Sequence, residues 1–96
     1  MALSLDLGNP AARPYFLWDE PHATVAGFRD ALARADEDEK ARLLGKLMRE
    51  ARDEDVWFFT TVAEVRALMP KIERYLGRRR AFWVYLLEAW RRYGIA

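Results

Sequence analysis

Asp36-Glu37-Asp38-Glu39-Lys40-Ala41-Arg42-Leu43-Leu44-Gly45-Lys46-Leu47-Met48-Arg49-Glu50-Ala51 is the stretch on which the fold turns. Leu43, Leu44, Leu47, Met48 and Ala51 recur at the three- and four-residue steps of one helical face, and Lys40, Arg42, Lys46, Arg49 and Glu50 fall on the other. Asp36 stands where an N-cap belongs, with Glu39 at the reciprocal position of a capping box. Glu37 and Asp38 occupy the first turn, where the helix dipole favours carboxylates. This spacing predicts a helix from Asp36 to Ala51 or Arg52.

Moving outward, Thr24 can cap an earlier helix carrying Val25, Phe28 and Leu32 on one stripe, although Gly27 costs it about 1 kcal/mol relative to alanine. Downstream, Asp53-Glu54-Asp55 leads into Val56-Trp57-Phe58-Phe59, read as a short helical turn capped by Asp53. Thr61 and Glu64 repeat the capping-box spacing and open a helix with Val62, Val65 and Leu68 inward. Pro70 is expected to end or kink it at Met69, because the residue before proline avoids helical geometry. A short helix from Lys71 to Leu76 closed by Gly77 follows, then a last helix from about Arg78 to Tyr93 with Gly94 as its stop. The expected fold class is therefore all-α, a small bundle of four to five helices. Residues 1–14, with Gly8, Asn9, Pro10 and Pro14, read as an extended or disordered lead-in, and residues 15–96 as one helical domain. Tyr15-Phe16-Leu17-Trp18 reads as an extended apolar strip.

The whole chain has 96 residues, 52% hydrophobic and 14% aromatic, with no cysteine. Disordered chains are apolar-poor, so disorder is not its default. No apolar run reaches the about 18 residues needed to cross a bilayer, and the N-terminus lacks the pattern of a signal peptide. Without cysteine there is no disulfide framework and no thiolate metal site, so a cytoplasmic location is expected. The net charge of +1 conceals two opposed halves: Met1 to Asp55 carries 8 Lys/Arg and 12 Asp/Glu, whereas Val56 to Ala96 carries 8 and 3. Either the halves neutralise each other, or a basic face is offered to an anionic partner.

Catalytic constellations are scarce. His22 stands alone beside Pro21, and Ser4 lies in the lead-in. The two acidic runs read as caps and solvated faces, and they lack the glycine and terminal glutamate of a calcium loop. Gly45-Lys46 lies within a helix and is no phosphate cradle. The expectation is a non-enzymatic chain with no cofactor, no metal, no membrane segment and no small-molecule substrate.

Eleven of the 13 aromatic residues fall in three clusters: Tyr15, Phe16 and Trp18; Trp57, Phe58 and Phe59; and Phe82, Trp83, Tyr85, Trp90 and Tyr93. The last helix is apolar almost all round, which normally means burial all round. It must either occupy the centre of the bundle or offer a ring-rich face to a partner. Arg78, Arg79 and Arg80 at its positive dipole end call for anionic compensation. That can come from the acidic helix, from solvent, from an acidic protein or from a phosphate backbone. Tyr15, Phe16, Trp18, Arg78, Arg79, Arg80, Trp83, Tyr85 and Trp90 are the candidate partner-binding residues.

Three segments together resemble a family: Tyr15-Phe16-Leu17-Trp18-Asp19; Gly45-Lys46-Leu47-Met48-Arg49-Glu50-Ala51 with Asp55-Val56-Trp57; and Leu76-Gly77-Arg78-Arg79-Arg80-Ala81-Phe82-Trp83. They look like short bacterial proteins encoded beside nucleotidyltransferases of the AbiEii/AbiGii toxin type. The resemblance implies a toxin–antitoxin module in which this chain is the antitoxin or accessory partner that masks the toxin. The winged helix of the better-known antitoxins has no counterpart here. On that reading the acidic helix mimics phosphate in the toxin's cleft, and the rings supply contact area. The alternatives are a small nucleic-acid-binding regulator acting through Arg78–Arg80 with stacking rings, and a homodimer built on the last helix.

Overall fold

The computed structural model describes residues 2–94; Met1, Ile95 and Ala96, the outermost positions of the two expected segments, lie outside the described residues. Five α-helices form a small bundle: α1 (Val25–Arg34), α2 (Glu37–Glu50), α3 (Asp53–Val56), α4 (Val62–Ile72) and α5 (Arg80–Arg92). The all-α expectation is met. Among the described residues, strand is confined to a parallel pair of two-residue segments, β1 (Leu3–Ser4) and β2 (Arg13–Pro14).

Local capping explains where the helices begin. Thr24 accepts from Gly27 N at 3.0 Å, Asp36 from Glu39 N at 2.8 Å and Thr61 from Glu64 N at 3.1 Å. Each bond satisfies an amide that the first helical turn leaves without a partner. Glu39 does not complete a capping box; its carboxylate turns outward to Arg42. Nor does Asp53 cap α3, which starts after Arg52 with no side-chain cap.

Helix α2 lies at the centre, with Ala41, Leu44, Gly45, Leu47 and Met48 buried, and α4 packs closest to it through Val65, Leu68 and Ile72. Gly45 belongs to that closeness. A Cβ there would stand 2.4 Å from Tyr75 Cβ, so only glycine lets the following turn approach.

Three expectations are corrected by the structure. Residues 2–14, expected as an extended or disordered lead-in, hold two short extended segments and pack onto the bundle: Leu7 and Ala12 are buried in the core, and the Val25 and Ala26 amides donate to the Ala12 and Pro10 carbonyls at 3.0 Å. Tyr15–Leu17 is a 3-10 turn rather than an extended strip, because Phe16 and Leu17 both enter the core. Helix α4 runs through Pro70 to Ile72, so of the end or kink expected at Met69 the end does not occur. There Lys71 holds Glu37 and Asp38 across the bundle, and Ile72 is fully buried.

Beyond α4, Glu73–Tyr75 and Gly77–Arg79 form successive 3-10 turns. Gly77 takes φ +54°, a left-handed conformation that other residues adopt at a cost, and this swings the chain into α5. The last helix thus begins at Arg80 rather than Arg78. It stops before Gly94, whose φ of +75° ends it as expected.

Candidate protein-interaction face

Helix α5 is attached to the bundle by large side chains rather than by close approach of backbones. Trp83 is fully buried, and its Nε1 donates to the Met48 carbonyl at 2.9 Å. Leu87 is buried one turn on, and Arg66 from α4 donates to its carbonyl at 3.0 Å. Trp57 stands edge-on to Trp83 at 5.9 Å and tilts against Trp90 at 5.6 Å between ring centres. Trp83, Leu87 and Trp90 follow the i, i+4, i+7 rule of a buried helical stripe.

The rest of the helix faces outward. Phe82 is 39% exposed, Val84 40% and Tyr85 72%, and Tyr93 just past the helix is 82% exposed. Phe82, Tyr85, Ala89 and Tyr93 succeed one another at steps of three and four residues, which aligns them as one strip beside the buried one. Scattered apolar residues on a surface need no explanation, but an aligned strip with three rings does.

Cations frame this strip. Arg78 is exposed with no carboxylate partner among the described residues, and Arg79 lies over the Phe82 ring with 4.8 Å to its centre. Arg80 reaches Glu73 at 3.5 Å. At the far end one carboxylate serves two guanidiniums, Glu88 lying 2.7 Å from Arg91 and 3.8 Å from Arg92. The Arg91 hydrogen bond holds the Glu88 carboxyl below its usual range and raises Arg91 in return.

Acidic α2 does not neutralise the triplet. Its Glu37 and Asp38 are engaged by Lys71, whose hydrogen bond lowers the Asp38 carboxyl, and Glu39 is lowered by its bond from Arg42. The acidic run is thus largely committed to partners within the fold.

The nine candidate residues separate into two places. Arg78, Arg79 and Arg80 lie at the entry to α5 and Tyr85 further along it; Arg78, Arg80 and Tyr85 are exposed and Arg79 is half-buried, with Arg80 turned to the Glu73 flank. Trp83 belongs to the core and Trp90 is half-buried against Trp57, so neither is a free contact residue. Phe16 is also fully buried, with its ring edge-on to Phe28 at 5.3 Å and Phe59 at 5.5 Å. Tyr15 is half-buried, and its hydroxyl donates to the buried Asp55 carboxylate while accepting from Arg52 N at 2.8 Å. Trp18 is 57% exposed but makes no ring contact with α5. The strip at 15–18 is therefore mostly an internal staple and not a clasp.

Phe82 and Tyr93 were not among the candidates, yet they are exposed on this face. Helical phase held the signal: once Trp83, Leu87 and Trp90 are assigned inward, the other rings must rotate outward.

No group of three or more His, Asp or Glu side chains that could hold a metal occurs among the described residues, and no helix among them is long and apolar enough to cross a membrane. No family model matches the chain, and neither does any curated protein or solved structure.

Proposed function

We propose that this chain is a non-enzymatic protein-binding module that covers α5 with a partner, and that the partner is a nucleotidyltransferase-type toxin which it neutralises. The observation that carries the binding part is the unpartnered strip of Phe82, Tyr85 and Tyr93 flanked by Arg78, Arg79 and Arg92. Aromatic residues and arginine supply most interface hot spots, because they bring large area and charge at low entropic cost. The identity of the partner rests on the resemblance carried by residues 15–19, 45–57 and 76–83.

Identifying the adjacent gene and co-expressing its product with this chain tests both parts. The expected result is a complex that survives gel filtration and restores growth. Tyr85→Ala and Arg79→Glu should each weaken it by about 2 kcal/mol, roughly 30-fold in Kd. Tyr85 is preferable to Trp90 for this purpose, since removing Trp90 also strips a ring from Trp57. Absence of a complex, or one indifferent to both substitutions, overturns the proposal.

A further inference from the structure

We propose that the occupant of this face is an acidic amphipathic helix of a partner protein, with carboxylates at both ends of an apolar seam. The inference rests on the protein-binding reading and specifies the chemistry that reading leaves open. Helix α5 has 13 residues, so it is about 20 Å long. Arginines stand at both of its ends, Arg78 and Arg79 before it and Arg91 and Arg92 at its close, with the rings between them.

On the other flank of α5, between it and α4, lies a groove of about 460 Å³ floored by Met69, Val84 and Leu87. Arg66 and Arg91 rim it together with Glu73 and Glu88. An aliphatic floor of this kind takes a large apolar side chain projecting from a neighbouring helix, as in helix-in-groove recognition.

Two other occupants fit less well. A second copy laid along α5, parallel or antiparallel, sets arginines against arginines at both ends, because the two ends carry the same charge. A nucleic-acid strand carries a phosphate at every nucleotide, whereas the middle of α5, from Ala81 to Trp90, offers no cation. An acidic helix meets both arginine ends with opposite charge, and its apolar seam covers the rings between them.

A displayed library of random 16-residue peptides, panned against the full chain, tests this. The enriched sequences are expected to be net negative, with apolar residues at i, i+3 or i+4, and i+7. A synthetic peptide of the strongest sequence should bind at least tenfold more weakly to Tyr85→Ala and to the Arg78→Glu/Arg79→Glu double variant. Circular dichroism of both variants should match the parent, so that loss of binding reports the surface and not unfolding.

The proposal is overturned by any of four results: no enrichment, enrichment of basic peptides, binding that ignores the substitutions, or a labelled single-stranded RNA that binds through the same residues. A dimer in light scattering that Tyr85→Arg converts to monomer also overturns it, in favour of a second copy. If acidic peptides bind here while a nucleotidyltransferase toxin of that type does not, the toxin assignment fails and this inference stands. Should that protein bind without regard to Tyr85 and Arg79, this inference fails.

Discussion

Asp55 is the one charged residue in the core among those described, 5% exposed, and it ties two distant parts of the chain. Tyr15 Oη donates to it from the N-terminal turn and Arg52 Nε donates to it at 2.8 Å. Burial pushes its carboxyl up, but the bonds from Arg52 and Tyr15 outweigh burial and leave it below the usual aspartate range. A carboxyl lowered by folding stabilises the fold above its unfolded value, about pH 3.9, and that stabilisation is lost as pH falls through the folded value. Asp19, Asp38, Glu39 and Glu88 are shifted in the same direction on the surface. Stability to urea should therefore drop as pH falls below about 4, and less steeply in Asp55→Asn. Asp55→Ala should cost about 1–3 kcal/mol at neutral pH, since it strands the Tyr15 hydroxyl.

Trp83 is the second residue on which much depends. Trp83→Ala should cost about 3–5 kcal/mol, a large share of the stability of a domain this size. Trp83→Phe retains most of the apolar area but leaves the Met48 carbonyl without its donor. Thermal melts of the two variants would separate packing from the hydrogen bond.

At the scale of elements, α1 and α2 were legible in the sequence because each carries its own cap and its own stripe. Asp36 and Thr24 act within three residues of themselves, so no tertiary knowledge is needed to read them. Gly45 was not legible, since its reason is Tyr75, thirty positions away and across a helix interface. In an isolated helix alanine would be better there by about 1 kcal/mol. In this bundle Gly45→Ala should instead destabilise, by about 1–3 kcal/mol of overpacking, which a denaturant titration would register. Pro70 misled for a related reason: proline's local preference was outweighed by burying Ile72 and by the Lys71 pairs to α2. Gly77→Ala should cost about 1 kcal/mol through its left-handed φ, observable as a lowered Tm.

Across the whole molecule, the question posed by the charges has a partial answer. Lys71 bridges to α2 and Lys40 to Glu64, yet the arginines around α5 find carboxylates only within their own half, or none. That uneven pairing could not be read from composition, which counts charges without placing them. The aromatic surplus divides in the same way, some rings inward and some left over. Because Tyr85 is 72% exposed, Tyr85→Ala should leave stability within about 0.5 kcal/mol of the parent while removing binding. A melt beside a binding titration would expose any confusion of the two.

The inward rings form two nests that share no ring pair. Tyr15, Phe16, Phe28 and Phe59 make one, and Trp57, Trp83, Trp90 and Phe82 make the other. All the indoles in either nest lie in the second, and the remaining one, Trp18, already faces water. Ultraviolet emission excited at the indole band therefore watches the half of the molecule that carries α5, with exposed Trp18 as its one other source, and the rings of the N-terminal nest are dark to it. A red shift of that emission signals α5 lifting from Trp57.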